Sequence, residues 1–257
     1  MIDICTVTWN RKICIERLIN TFSQRSGEQP HRFVITDNGS EDDTAEYLSS
    51  LTGGTQITSS NVEVIRNEKK LPVAQAFNQA IERFVDGNSE YMFLCHSDLV
   101  YGNAIGSRDP LDVLASAVSD VLSPLSDRIQ LHLKLPKSKR LVDKVKDTFQ
   151  FNSVAVMIAR NVVETVGFFD PVYEFFFYDM DYSRRALEKG FKIQLHRGVF
   201  FPHPANETPH IECGGFIKEA FISQVEAEQL AAKDSEYYNK KWHIVDAVRN
   251  AECGMRN

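Results

Sequence analysis

Three carboxylate sites in this 257-residue chain have the types and spacing to do chemistry. Asp37 opens Asp37-Asn38-Gly39-Ser40. Asp98 closes His96-Ser97-Asp98. Asp179 and Asp181 flank Met180, just after Phe175-Phe176-Phe177-Tyr178. A carboxylate at a strand end accepts hydrogen bonds from ribose hydroxyls or a base N–H. One that faces a diphosphate can hold Mg2+ or Mn2+, with phosphate oxygens completing the shell. One beside apolar rings has a raised pKa, which suits a general base near neutral pH. Structural roles are open to the same residues. Asp37 fits a turn before Asn-Gly. Asp98 could cap the segment after it, and Asp179 and Asp181 fit an N-cap and a first-turn charge.

The elements that must position these groups are legible in the periodicity. Residues 2–8 alternate apolar and polar and predict a strand, as do 32–36, 61–66 and 91–95. Between them, 12–24, 41–51 and 73–85 carry apolar residues at helical spacing. The first hundred residues thus read βαβαβαβ, which implies parallel strands with helical crossovers. Ligands of such sheets bind beyond the carboxyl ends of the strands. Thr8-Trp9-Asn10, Asp37-Asn38, Asn67 and Ser97-Asp98 all fall at such ends. Further on, a helix is expected over 111–122, a strand over 151–159 and a short helix over 162–166. A helix over 180–189 ends at Gly190, as a C-terminal glycine should. Strands are expected at 191–195 and 199–201, and a helical tail over 216–247.

Composition excludes several classes. Hydrophobic residues are 43% and charged residues 25%, as in ordinary globular chains, so disorder and collagen-like folds are excluded. The net charge of −6 argues against a duplex nucleic-acid binder, which needs a strong basic face. Lys134, Lys137, Lys139, Arg140, Lys144 and Lys146 form a local exception, either a solvated face or a contact for an anion. Five cysteines without a CxxC spacing argue against a disulfide framework or structural zinc. Asp3 breaks any signal-peptide core. VAVMIA (154–159) and EFFFY (174–178) are far shorter than the roughly 18 apolar residues of a membrane span. The expectation is a cytoplasmic protein without a transmembrane segment. Peripheral contact with the inner face of the membrane is left open, as is the oligomeric state.

Taken together, these pieces resemble the family 2 glycosyltransferases of the GT-A fold, in a rhamnosyltransferase-like subgroup. TVTWNR (6–11) is similar to that family's first strand and its T-Y-N-R end. TDNGSEDDT (36–44) is similar to D-N-G-S-x-D-x-T. VIRNEKKLPVAQAFNQAI (64–81) resembles R-N-x-x-N-L-G…N-x-G-I, and FLCHSDLVY (93–101) sits where the metal-binding D-x-D falls. GFFDPVYEFFFYDMDYSRRALEKGF (167–191) resembles G-F-F-D-E-x-F-F-x-Y-x-E-D-V-D-L-x-x-R-x-x-x-x-G-Y. YYNKKW (237–242) resembles a frequent C-terminal Y-F-x-x-K-W.

The resemblance implies an α/β GT-A fold: a Rossmann-like, mostly parallel central sheet flanked by helices, with a C-terminal helical extension. The glycosyltransferase domain would span 1–215, with a donor-binding half at 1–100 and an acceptor half with the catalytic segment at 101–215. A tail at 216–257 would pack on the same domain. Val7, Thr8, Asn10, Asp37, Asn78, Ser97 and Asp98 would bind a UDP-, dTDP- or GDP-sugar donor. Asp98, with His203, would hold Mn2+ or Mg2+. Asp179 would deprotonate the acceptor hydroxyl of a glycan, lipid or other glycoconjugate, supported by Asp181. Arg185 matches the family arginine of the same helix. The reaction implied is a single in-line displacement that inverts the anomeric centre, in polysaccharide biosynthesis.

Some positions depart from the pattern. The metal motif is His96-Ser97-Asp98, so one carboxylate is present, and His96 is either a neutral ligand or a hydrogen-bonding residue. Tyr178 stands where the family has Glu, and Pro72 where it has Gly. Trp9 replaces the common Tyr, to stack on a base or to pack at the core edge. The reduced motif motivates an alternative: a silent nucleotide-sugar or glycan-binding module on the same fold. A nucleotidyltransferase would want a glycine-rich phosphate loop after the first strand, and WNRKICI has none.

Overall fold

Period-two strands alternating with amphipathic helices decide the first half. A computed structural model of the chain describes residues 1–25, 30–52, 61–126, 144–203 and 224–244. Its strands are β1 (Ile2–Thr8), β2 (His31–Asp37), β3 (Asn61–Arg66), β4 (Tyr91–His96), β5 (Asn103–Ala104), β6 (Val121–Leu125), β7 (Val145–Thr148), β8 (Ala155–Ala159) and β9 (Ile193–Phe200). Its α-helices are α1 (Lys12–Arg25), α2 (Thr44–Thr52), α3 (Val73–Asp86), α4 (Pro110–Ala117), α5 (Arg160–Val166), α6 (Tyr178–Glu188) and α7 (Gln224–Lys241).

The strands form one sheet in the order β3-β2-β1-β4-β8-β6-β9-β5, with β7 also on β9. β3, β2, β1 and β4 run parallel, as the alternation requires. β8 runs antiparallel to both β4 and β6, while β6 and β9 are parallel. The expected mostly parallel sheet is therefore parallel in its first half and mixed in its second. The reversal matters for function. It brings the start of β8 to the carboxyl end of β4, where Cys95 pairs with Ala155.

Successive residues of the central strands face opposite layers, as strand geometry demands. Ile4, Phe33, Ile35, Phe93 and Cys95 pack with Ile15, Leu18, Phe22, Leu48 and Leu114 of α1, α2 and α4. Cys5, Val34, Met92 and Leu94 pack with Phe77, Phe84, Val163, Tyr182 and Tyr238 of α3, α5, α6 and α7. Burying each such large side chain is worth about 1.5–3 kcal/mol.

Four expected elements differ. The helix expected over 111–122 stops at Ala117, and 121–125 is a fully buried strand. The Asp120 carboxylate between them accepts the Lys192 N–H at 2.8 Å, which docks β6 beside β9. The strand expected from Phe151 begins at Ala155, because the Asn152 side chain accepts the Val154 N–H in a turn. The two strands expected at 191–195 and 199–201 are one, β9, with a register shift opposite Pro124 and Leu125. The helix expected at 180–189 starts at Tyr178, so both aspartates lie in its first turn. Of the basic stretch, Lys134, Lys137, Lys139 and Arg140 lie outside the described residues. Lys144 and Lys146 are exposed.

Candidate active site

The carboxyl ends of β1, β2 and β4 form the floor. At the end of β1, Thr8 is buried and its hydroxyl has no partner among the described residues. Val7, one residue earlier, is partly buried against the core. Asn10 takes a left-handed conformation, φ 52°. Its N–H donates to Ser40 Oγ at 2.9 Å, and its Oδ1 accepts the Glu41 N–H at 2.7 Å. Asn10 thus ties the loop after β1 to the loop after β2. Asp37 is 1% exposed. It accepts the Ser40 N–H at 3.0 Å and pairs with Arg66 at the end of β3. Gly39 is obligatory in this turn. Its φ is +79°, and a Cβ there would stand 2.7 Å from the Lys69 carbonyl carbon. Lys70 extends from the same approach to lie 3.8 Å from the Trp9 ring centroid.

A second group gathers beyond β4. Asp98 Oδ1 is 3.0 Å from His203 Nε2, and Asp98 Oδ2 is 3.4 Å from Arg11 Nη1. One ligand atom each from His96, Asp98 and His203 lie within 4.8 Å of one another. Their elements converge for reasons visible in the backbone. β9 runs parallel to β6 and delivers His203 to the same edge, where the Val100 N–H donates to the Pro202 carbonyl at 3.0 Å. Gly102 permits the approach, since a Cβ there would fall 1.8 Å from the Phe200 carbonyl oxygen. Burial alone would raise the Asp98 carboxyl. The His203 hydrogen bond and charge, with His96 and Arg11, outweigh it and hold the group well below the usual carboxylate range. Ser97 is buried beside it.

The third group is the first turn of α6. Asp179 Oδ2 accepts from the Ser153 N–H at 3.2 Å and the Ser153 hydroxyl at 3.4 Å, while Oδ1 accepts the Met180 N–H at 2.9 Å. Burial pushes the Asp179 carboxyl up, against those lowering bonds. The residue keeps part of its surface accessible. Residue 154 joins this group to the previous one. Its carbonyl accepts the His96 N–H at 3.1 Å, next door to Ser153. One dipeptide, Ser153-Val154, therefore holds the candidate base and the candidate metal cluster at one edge of the sheet.

Asp181 has a different position. It is fully buried, and its oxygens take Arg185 Nε at 2.9 Å, Trp242 Nε1 at 3.0 Å, Lys241 Nζ at 2.7 Å and the Tyr173 hydroxyl at 3.3 Å. Both oxygens are committed to this scaffold. Arg185 also donates to the Val166 and Phe168 carbonyls, each at 2.9 Å. Asn78 is likewise committed: its amide exchanges two 2.9 Å bonds with the Phe169 backbone. These residues position the loop that carries α6.

Sequence reasoning missed Arg11, Arg66, Ser153 and the tail residue Asp234. Asp234, 1% exposed, accepts the backbone N–H groups of Glu174, Phe175 and Phe176 at 3.2, 2.9 and 2.8 Å. Phe177 follows with φ 62°, a strained value for a bulky side chain, and α6 begins at the next residue. Lys241 bridges Asp170 and Asp181 at 2.7 Å each, and Tyr237 donates to Asp170 at 2.9 Å. The YYNKKW motif signalled this docking, whereas nothing in the sequence marked Ser153 or Asp234.

Residues 3–103, which contain most of this floor, match the model of Glycosyl transferase family 2. That stretch is similar to the family over less than half of the chain. The glycosyltransferase neighbours among solved structures extend the likeness to the rest of the fold. A mannosyltransferase from Pyrobaculum calidifontis, solved with GDP-Man and Mn2+, is 14% identical over 80% of this chain and 57% of its own, with a TM-score of 0.61. GalNAc-T7, solved with UDP, GalNAc and Mn2+, is 13% identical over 79% of this chain and 43% of its own, at 0.58. S. aureus TarS residues 1–349, solved with UDP-GlcNAc, is 13% identical over 93% of this chain and 72% of that one, at 0.58. The glycosyltransferase fold is thus the GT-A type, and this chain spans less than two thirds of the mannosyltransferase and of GalNAc-T7. No curated protein sequence matches it. Among the described residues no helix is long and apolar enough to cross a membrane.

Proposed function

We propose that this chain is a metal-dependent, inverting glycosyltransferase that moves a sugar from a nucleotide-diphosphate donor to an acceptor hydroxyl. The observation that carries this is the pairing of Asp179 and the His96–Asp98–His203 cluster on one dipeptide. The first is a carboxylate raised toward base strength. The second is a low-pKa carboxylate between imidazoles.

The cluster fits a divalent cation. It offers one oxygen and two nitrogen donors within reach of one another. Mg2+ prefers all-oxygen shells, so two imidazoles favour Mn2+. His96, Asp98 and His203 would hold it, and it would offset the charge developing on the leaving diphosphate. Thr8 offers its orphaned hydroxyl to the nucleoside part of the donor, and Asp37 with Arg66 shapes the same end of the sheet. Asn10 keeps those two loops in register.

Asp179 takes the proton from the acceptor hydroxyl as its oxygen attacks the anomeric carbon. The donor C–O bond to the diphosphate breaks on the opposite face, so configuration inverts and no enzyme nucleophile is needed. Asp181 serves by fixing the first turn of α6 through Arg185, Lys241 and Trp242. We place the domain at 1–215, with α7 of the tail as a clamp on α6 and the segment before it. A screen of UDP-, GDP- and dTDP-sugars with Mn2+, reading hydrolysis and transfer, tests the function. Turnover of one donor supports it. Binding without hydrolysis or transfer makes the chain a nucleotide-sugar-binding module instead.

A further inference from the structure

We propose that Ser153 and Tyr178 form a two-hydroxyl positioning relay that sets the orientation and basicity of Asp179. The inference rests on Asp179 being the base. The Tyr178 hydroxyl donates to Ser153 Oγ at 2.8 Å. Ser153 in turn presents its own hydroxyl and its backbone N–H to a single oxygen, Asp179 Oδ2, at 3.4 and 3.2 Å. A hydroxyl that accepts one hydrogen bond becomes a better donor of the next, and the direction of its proton is decided. Tyr178 therefore aims the Ser153 proton at Asp179.

Packing makes the arrangement rigid. Tyr178 is 3% exposed, with ring centroids 5.0 Å from Phe169 and 6.0 Å from Phe77. Ser153 is 5% exposed at the start of β8. Both hydroxyls come from buried side chains with few rotatable bonds. The 3.4 Å contact is long for O–H···O. Catalytic hydrogen bonds are often loose before the substrate closes the site, and this one has a donor already turned toward it.

The relay offsets a specific conflict. Burial favours the neutral acid at Asp179, whereas a base must be the anion at working pH. Donors on Oδ2 restore part of the anion's stability and hold its plane, leaving lone pairs on the carboxylate for the acceptor proton. They act on the base alone, since neither hydroxyl is a ligand candidate for the metal.

The experiment is the pH dependence of kcat for Ser153→Ala, Ser153→Thr and Tyr178→Phe, with Asp179→Asn as reference. Ser153→Ala removes the hydroxyl and keeps the backbone donor. Its acid limb is expected to move up by about 0.5–1 pH unit, a three- to tenfold loss of kcat on that limb. Ser153→Thr keeps a hydroxyl and should restore most of it. Tyr178→Phe preserves the ring packing and should give a smaller shift in the same direction. Donor KM should stay within about twofold in all three, because both hydroxyls are spent on bonds within the Asp179 group. An unmoved acid limb in folded Ser153→Ala, with Asp179→Asn inactive, overturns the relay and leaves the base assignment intact. An active Asp179→Asn overturns the base assignment itself.

Discussion

The two edges of the parallel strands use the same residue types to opposite ends. At the amino edge, Asp3 is fully buried and receives Arg32 through both Nε at 2.9 Å and Nη2 at 2.7 Å, with Ser89 donating as well. Arg32 also reaches Glu63, which takes Arg83 at 2.9 Å. Nearby, Arg160 donates to the carbonyls of Ser89, Phe84 and Val85. Charges there are neutralised by one another, and the cluster is closed. At the carboxyl edge, Asp98 lies between two imidazoles and an arginine, the Thr8 hydroxyl has no partner among the described residues, and desolvation opposes the ionisation of Asp179. There the desolvation of Asp179 works against its charged form, and among the described residues no such conflict is set on a base at the amino edge. The comparison recurs within α6. Asp181 is saturated by Lys241, Arg185 and Trp242, while Asp179, two residues away, accepts from neutral donors among the described residues.

The sharpest way to break this contrast is Asp179→Asn. Transfer is expected to fall by about 10³-fold, within the range for loss of a general base, while donor affinity by calorimetry changes little. Retained turnover would place the base elsewhere. Next is the metal cluster. Asp98→Asn should cost on the order of 10²-fold in kcat/KM and raise the Mn2+ concentration needed for half-maximal rate, with full loss in excess chelator. If chelator leaves the rate untouched, His96, Asp98 and His203 are only a hydrogen-bonded group.

The amino edge should respond in the opposite currency. Arg32→Ala strands a buried carboxylate, and breaking such a pair costs about 3–5 kcal/mol. At roughly 2–4 °C per kcal/mol for a chain of this size, thermal unfolding should come about 10 °C earlier. The kcat of the protein that stays folded should be unchanged. A drop in kcat without a drop in melting temperature would show that the two edges are not separable.

The smallest effect concerns pH and sharpens the role of Asp179. Its folded pKa is raised, so the protonated acid is favoured in the folded state. That contribution is fully present below the unfolded pKa and is lost as pH rises through the folded pKa. The melting temperature of the wild type relative to Asp179→Asn should therefore decline over that window. Over the same window the transfer rate should rise, as the base becomes ionised. A stability difference that does not vary with pH would mean that Asp179 titrates normally.

Much of this organisation was legible in the residues. Strands β1 to β4 and helices α1 to α3 follow from strong, uninterrupted periods, and their ends differ from expectation by at most a few residues. The second half was harder. Val121–Leu125 has the apolar run of a helix end, and only pairing with β8 and β9 makes it a strand. Phe191–Phe201 looked like two strands because Arg197 and Gly198 interrupt the pattern, whereas the sheet absorbs them as an irregularity. Asn78 and Asp181 were marked by their motifs, and the fold adds that Asn78 bonds the Phe169 backbone while Asp181 takes Arg185, Lys241 and Trp242.

Sequence by itself determined that the chain builds a βαβ sheet with polar residues at its carboxyl edge, because hydrophobic period and strand-end chemistry are local properties. It also marked Asp98, His203 and Asp179 as candidates by their motifs. Tertiary structure alone decided that His203, 105 positions beyond Asp98, comes within 3.0 Å of it, through parallel β9 and the side-chain-free Gly102. It also decided that Asp179 and Asp181 differ, since one faces the Ser153 turn and the other faces Lys241. Those outcomes depend on strand order and helix docking. Such contacts are long-range, and no window of neighbouring residues encodes them.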